Sequence, residues 1–204
     1  MRTRLALTAA VLVMATVACN GPDEPSGAMG ATVPTEPPRT TTTDPFAIPA
    51  TIDAAYVNRV LAGLDAAVGD VVRIVVSTKF IPREAYDRLR ALYADDAILQ
   101  SKIDNYQADI RGGLSGYRSP PGNKRSEVLE MLAASTGCIY ARVRRDYSAV
   151  SFNPIPDIAV QWVAIRPFDA ARDPSRFNTV GWAFTYEGFE RGFVAPRVNP
   201  CSTG

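Results

Sequence analysis

Apolar side chains alternate with tyrosine and arginine over residues 139–144, Ile-Tyr-Ala-Arg-Val-Arg. This alternation predicts a β-strand with one buried face, because successive side chains of a strand point to opposite sides of the sheet. Two later stretches rich in β-branched and aromatic residues, 158–166 and 179–187, predict strands that follow it. The last of these strands is expected to present four side chains on one face, namely Val180, Trp182, Phe184 and Tyr186.

The chain before this segment has helical spacing instead. Apolar residues recur along one stripe over residues 52–68, with Thr51 as a suitable N-cap and Gly69 as the residue just past the end of the helix. A short second helix is expected to begin at Asp70. A strand is the alternative there, because the residues that follow are mostly β-branched.

Three more helices are predicted ahead of the first strand. One begins at Pro82, one runs from Asp96 to the glycine pair at 112–113, and one runs from Asn123 to Gly137. The pair Asp95-Asp96 is expected to end one helix and cap the next. Helices followed by consecutive antiparallel strands define an α+β domain. The prediction is therefore N-terminal amphipathic helices packed on a curved antiparallel sheet of three to four strands.

Composition excludes several classes of function. The 204 residues include 22 Lys and Arg against 21 Asp and Glu, and 47% are hydrophobic, so the chain is neither a wholly disordered protein nor a nucleic-acid binder. There is no histidine. A Ser-His-Asp or Cys-His nucleophile system, an HExxH zinc site and a histidine-ligated haem are therefore impossible.

The first residues have the features of an export signal. Arg2 and Arg4 precede an apolar core about half as long as the roughly 20 residues that a membrane-spanning helix needs. The segment Thr16-Val17-Ala18-Cys19 then resembles the lipobox of bacterial lipoproteins, with Thr16 where that pattern usually has Leu. The resemblance implies a signal peptide over residues 1–18 and a diacylated Cys19 as the mature N-terminus. Ordinary signal-peptidase cleavage, which would release a secreted protein, is the alternative.

Residues 19–48 are rich in proline, glycine and threonine and poor in large apolar side chains. They are predicted to form a disordered tether behind the lipidated cysteine, because they cannot bury enough surface to offset the entropy of ordering. Residues 49–204 are long enough for a single domain with its own core. Two acyl chains anchor a protein stably, so we expect this domain at the extracytoplasmic face of the cell membrane, with membrane lipid as the partner of Cys19.

Two cysteines remain, Cys138 and Cys201. An even number in an oxidising compartment predicts one disulfide, and two free buried thiols are the alternative.

The order of elements, together with the segment Ala-Tyr-Val-Asn-Arg-Val-Leu at 55–61, resembles the NTF2-like (SnoaL-type) cone, which occurs in exported actinobacterial lipoproteins. The resemblance covers roughly residues 50–190. It implies a concave pocket between sheet and helices, in a family that ranges from isomerases to non-catalytic binding domains. Its enzymes usually use an Asp-His pair, which a chain without histidine cannot supply.

Two sets of side chains are candidates for binding. The cluster Arg142, Arg144 and Arg145 could hold an anion, or it could form a solvated outer face paired with acids of its own or a neighbouring strand. The aromatic set could line a pocket or form ordinary core. It comprises Trp162, Trp182, Phe184 and Tyr186. The glycine-rich stretch 112–116 lacks the features of a phosphate-binding loop.

No catalytic residue, metal site or cofactor is predicted. The favoured function is a membrane-anchored, non-catalytic domain that binds a small molecule or a partner protein. The alternatives are an accessory subunit of a secretion or cell-wall assembly, and an enzyme with an Asp/Arg/Tyr site in an NTF2-like cavity.

Overall fold

Three helices precede a four-stranded antiparallel sheet. The computed structural model describes residues 44, 46–152, 158–169, 175–189 and 199–202. The helices are α1 (Ala54–Thr78), α2 (Arg83–Leu92) and α3 (Asp96–Arg111), and the strands are β1 (Arg125–Ser135), β2 (Cys138–Asp146), β3 (Ile158–Pro167) and β4 (Trp182–Phe189). The predicted α+β class, with helices first and a sheet of three to four strands after them, is confirmed. The predicted signal peptide, Cys19 and nearly all of the predicted tether lie outside the described residues.

The strands are hydrogen-bonded in chain order, β1-β2-β3-β4, and form an open sheet. The alternation predicted for β2 is present, since Ile139, Ala141 and Val143 are buried in the main core that the helices cover. Tyr140 instead belongs to a smaller cluster with Trp162. The sheet therefore has an inner face, which carries the main core, and an outer face with this smaller cluster.

Helix α1 is one continuous helix of 25 residues, where the sequence predicted two helices separated at Gly69. It begins after Asp53, whose side chain accepts a hydrogen bond from the Tyr56 backbone N–H at 2.7 Å. Gly69 lies in its middle for a packing reason, because a Cβ there would collide with the side chain of Asn123. The helix ends at Lys79, which adopts the left-handed conformation with φ of 62°.

The prediction of a helix from Asn123 to Gly137 is wrong, because most of this stretch forms the edge strand β1 instead. Its residues pair with β2 from Arg125 opposite Asp146 to Ser135 opposite Cys138, across a tight turn. Leucine, glutamate, methionine and alanine favour helices locally, but pairing with a partly buried neighbouring strand overrides that preference. The register shifts twice along β1, and each irregularity interrupts its pairing with β2.

The helices predicted from Pro82 and from Asp96 are present as α2 and α3, but Pro82 is the N-cap of α2 and not its first residue, and α1 is capped by Asp53 and not by the predicted Thr51. Asp95 caps α3 by accepting hydrogen bonds from the backbone N–H groups of Ala97 and Ile98, and α3 ends at Arg111, just before the glycine pair. No helix among the described residues is both long enough and apolar enough to cross a membrane.

Strand β4 carries a bulge that positions the site described below. Phe184 lies opposite Ile165 and Tyr186 lies opposite Ala164, so Thr185 is an extra residue in β4. A bulge shifts the alternation of side chains by one position. The sequence had predicted Tyr186 on the same face as Trp182 and Phe184. Because of the bulge, Tyr186 belongs to the outer cluster instead.

Candidate functional site

A cavity of about 660 Å³ lies between α1, α3 and the inner face of the sheet. The loops that follow α3 and β2 form its rim. Several apolar residues line it, including Val68 and Val72 of α1 and Val150 of the second loop. Six aromatic residues also line it, namely Tyr93, Tyr106, Tyr117, Tyr147, Phe152 and Phe189.

The polar side of the cavity is built around Glu187, whose side chain is only 3% exposed. The β4 bulge places this residue opposite Val163, on the inner face. Three cations surround its carboxylate. Lys102 Nζ lies 2.6 Å from Oε2, Lys124 Nζ lies 3.6 Å from Oε1, and Arg145 Nη1 contacts Oε1 directly.

These cations decide the charge state of Glu187. Burial alone would raise the pKa of its carboxyl, but Lys102, Arg145 and Lys124 together outweigh burial and hold that pKa well below its ordinary value. Glu187 is therefore a carboxylate at neutral pH. A buried charge is tolerated when it is paired in this way.

A second buried carboxylate lies next to this group. Asp65 of α1 is 1% exposed, and its Oδ1 lies 3.5 Å from Lys124 Nζ. Neither of its oxygens accepts a hydrogen bond from a described residue. Lys124 thus bridges Asp65 and Glu187. The group holds three cations and two carboxylates, all nearly fully buried except Lys102, whose side chain is 30% exposed, and we call these five residues the charge cluster. They are Asp65, Lys102, Lys124, Arg145 and Glu187.

Arg145 has a free edge within this cluster. Its side chain is 1% exposed and lines the cavity, and its Nη1 is occupied by Glu187. Its Nε and Nη2 are buried without a hydrogen-bond acceptor among the described residues. Burial alone would lower the pKa of the guanidinium, but Glu187 and Asp65 raise it above its ordinary value, so Arg145 stays charged.

A buried amide lies on the same side of the cavity. Gln161 of β3 donates from Nε2 to the hydroxyl of Tyr147 at 2.9 Å. Its Oε1 is buried and accepts no hydrogen bond from any residue in the described part of the chain. Both residues line the cavity. Arg145 therefore contributes two unpaired donor groups there, and Gln161 contributes one unpaired acceptor.

Three tyrosines of the lining stay protonated at neutral pH. Burial, followed by the charge of Glu187, raises the pKa of Tyr93 and of Tyr106. Burial, followed by a hydrogen bond to Asp109, raises the pKa of Tyr117. The hydroxyl of Tyr117 donates to Asp109 Oδ2 at 2.6 Å. Asp109 is exposed, so this pair belongs to the rim and not to the charge cluster.

The structure separates the three arginines of the predicted anion site. Arg145 lines the cavity, whereas Arg142 and Arg144 belong to the outer face. Arg144 pairs with Glu127 of β1 on the exposed side of the sheet. This agrees with the alternative prediction, in which the arginines pair with acids of a neighbouring strand on a solvated outer face. The Arg142 guanidinium lies 6.0 Å from the centre of the Trp162 ring.

The four aromatic residues predicted to line a pocket lie elsewhere. Trp182 and Phe184 are fully buried in the main core, where Trp182 Nε1 donates to the Tyr56 hydroxyl at 2.8 Å. Trp162 and Tyr186 pack in the cluster on the outer face. The described lining of the cavity includes none of the four.

Cys138 and Cys201 form a disulfide between the start of β2 and residues near the C-terminus. Cys201 packs against the outer cluster. Within the described ranges, no group of three or more cysteine, aspartate or glutamate side chains is placed to hold a metal ion.

Most of the charge cluster was not identified from the sequence, although one signal was present. Asp65 interrupts the apolar stripe of α1 between Leu61 and Val68, and a carboxylate on the buried face of a helix requires a partner. Glu187 gave no such signal, because regular alternation would have placed it on the face opposite Phe184. No protein-family model, curated protein or solved structure matches the chain.

Proposed function

We propose that this protein is an extracytoplasmic lipoprotein, anchored through a diacylated Cys19, whose domain binds a small organic molecule in the cavity without transforming it. The anchor rests on the lipobox-like segment that ends at Cys19 and on the proline-rich stretch that follows it. The disulfide between Cys138 and Cys201 suits an oxidising compartment.

The observation that carries the binding proposal is the make-up of the cavity. Its volume of about 660 Å³ lies within the range of about 300–1,000 Å³ typical of small-molecule sites. Such sites combine a mostly apolar lining with a few polar groups that fix orientation. Here the aromatic lining is combined with the unpaired edge of Arg145 and the unpaired oxygen of Gln161.

Binding is favoured over catalysis by the direction of the pKa shifts. A general acid or base works best with a pKa near the operating pH. The pKa of Glu187 is shifted below its ordinary value, and those of Tyr93, Tyr106 and Tyr117 are shifted above theirs. Glu187 and these three lining tyrosines therefore keep one protonation state across neutral pH.

For the architecture we infer an NTF2-like cone. Three features support it, namely amphipathic helices ahead of the sheet, an open antiparallel sheet, and a cavity between the sheet and the helices.

Cavity binding is tested with two tryptophan variants of α3. Ala97 and Ala108 are both exposed alanines of α3, but only Ala108 belongs to the described cavity lining, so Ala108→Trp is expected to obstruct the cavity and Ala97→Trp is not. The mature chain carrying Cys19→Ser would be screened by thermal shift and calorimetry against small aromatic and aliphatic molecules. We expect binding that Ala108→Trp abolishes and Ala97→Trp retains. A screen that yields no molecule with this pattern would overturn the proposal.

The anchor is tested by intact mass after expression in a high-GC Gram-positive host. A mature chain that begins at Cys19 and carries a diacylglyceryl group is expected in the membrane fraction, and the Cys19→Ser variant should lack that modification. An unmodified mature chain in the culture medium would establish secretion instead.

A further inference from the structure

We infer that the molecule bound in the cavity carries a single carboxylate, held by the Nε–Nη2 edge of Arg145. This inference rests on the proposed function and specifies the chemical class of its ligand.

The first step is the charge of the cluster. Lys102, Lys124 and Arg145 contribute three positive charges, and Asp65 and Glu187 contribute two negative charges, so the cluster carries one excess positive charge. The four buried members balance one another, so the excess positive charge is carried at the cavity lining by Lys102, whose side chain is 30% exposed. One monovalent anion would neutralise it. Among the described residues that line the cavity Asp109 is the one acid, and it is exposed at the rim and accepts from Tyr117, outside this group.

The second step is the geometry of the free donors. Glu187 occupies Nη1 of Arg145, which leaves the N–H groups of Nε and Nη2 on one edge of a planar group. The two oxygens of a carboxylate match this edge with two parallel hydrogen bonds. Both N–H groups are buried and lack an acceptor among the described residues, so a carboxylate would supply what they need.

The third step excludes a phosphate monoester as the better fit. Such a group carries a charge of roughly −1.5 to −2 at neutral pH, which would turn the excess positive charge of the cluster into an excess negative one. The aromatic residues around the rest of the cavity suit an apolar or aromatic body behind the acid group.

The test compares molecules that differ only in the acid group. Phenylacetate, 4-phenylbutyrate, indole-3-acetate and decanoate would each be titrated beside the primary amide of the same skeleton, and 4-phenylbutyrate also beside the phosphate monoester of 4-phenylbutanol. The protein is the mature chain carrying Cys19→Ser. At least one carboxylate is expected to bind tenfold or more tightly than its amide, and 4-phenylbutyrate is expected to bind more tightly than the phosphate monoester.

Two variants assign that preference to the cluster. Lys102→Gln removes the excess charge, and Arg145→Lys keeps the charge but removes the planar edge. Each is expected to weaken carboxylate binding about tenfold and to weaken binding of the matched amide less, so that the preference for the carboxylate narrows. Arg83, whose side chain is 94% exposed, provides the control, since Arg83→Gln makes the same change in net charge as Lys102→Gln at a residue outside the described cavity lining. If Arg145→Lys does not fold, Lys102→Gln still tests the charge requirement, and the wild-type comparison still tests the carboxylate.

The outcomes separate this inference from the proposed function. Amides that bind as tightly as carboxylates, in a manner that Ala108→Trp abolishes, would overturn the carboxylate and leave cavity binding in place. Preference for the phosphate monoester would do the same. Absence of any binding sensitive to Ala108→Trp would overturn both.

Discussion

Glu187 is the residue on which the cavity's polar side depends. Its carboxylate contacts three cations while only 3% exposed, and it shares one of them, Lys124, with Asp65. Removing one partner of a buried ionic group is far more costly than removing one partner of a surface pair. The exposed pair of Arg144 and Glu127 offers that comparison within the same sheet.

We predict that Glu187→Gln lowers the free energy of unfolding by about 3–5 kcal/mol, because it leaves buried positive charges without a partner. The matched change Glu127→Gln should cost less than about 1 kcal/mol, because both side chains of that pair are more than half exposed. Urea unfolding followed by circular dichroism measures both. Equal losses for the two variants would contradict the role assigned to Glu187.

Glu187 also makes the free energy of unfolding depend on pH, and the direction of its pKa shift fixes the sign of that dependence. The pKa of Glu187 is lower in the folded chain than its ordinary value of 4.5, so its contribution to stability is fully present above about pH 4.5 and is lost as the pH falls toward the folded pKa. The difference in unfolding free energy between the wild type and Glu187→Gln should therefore shrink between pH 5 and pH 3. Urea titrations at several pH values would show this, and a difference that grows on acidification would refute it.

At the scale of elements, the bulge in β4 determines which side chains reach the cavity. Because Thr185 is an extra residue, Tyr186 turns to the outer face and Glu187 returns to the inner face. The hydroxyl of Thr185 is buried without a hydrogen-bond partner in the described part of the structure, so no hydrogen bond from that hydroxyl holds the bulge.

We predict that deletion of Thr185 is tolerated, with a loss of stability below about 3 kcal/mol. The deletion joins Phe184 directly to Tyr186 and leaves Glu187 opposite Val163, so every remaining side chain keeps its face. Deletion of Ala183 would instead reverse the faces of its neighbours and expose the core. Cooperative urea unfolding should persist in the first variant and disappear in the second. The reverse result would show that the bulge is wrongly located.

Local patterns in the sequence predicted most of these elements but not the strand β1 or the bulge. The alternation at 139–144 and the acid at Asp95 are short-range signals, and both hold in the structure. Strand β1 depends on pairing with β2, and its helix-favouring residues give no sign of that pairing. The bulge depends on how β4 is paired with β3, which no periodicity within β4 reveals. The cavity site, built on Glu187, was therefore beyond what periodicity could predict.

At the scale of the whole molecule, the disulfide closes a long loop. Cys138 and Cys201 are 63 residues apart, and their bond holds residues near the C-terminus against the outer face of the sheet. The chain-entropy estimate for a loop of this length is about 4 kcal/mol, because the cross-link restricts the unfolded chain.

We predict that the double change Cys138→Ser and Cys201→Ser lowers the free energy of unfolding by about 4 kcal/mol and leaves the charge cluster formed. Reduction of the wild type with dithiothreitol should lower it by a similar amount. Urea unfolding measures the loss, and carboxylate titration at low temperature reports on the cavity. A loss of ligand binding in a still folded double variant would contradict the separation of the disulfide from the site.

The charge cluster has a consequence for how the protein responds to changes in the pH of its surroundings. The chain contains no histidine, and the shifted pKa values of Glu187 and of the lining tyrosines all move away from neutrality. These groups therefore neither gain nor lose a proton when the surroundings become mildly acidic or alkaline. For the molecule proposed above, none of these four groups would make the affinity of the cavity depend on pH near neutrality.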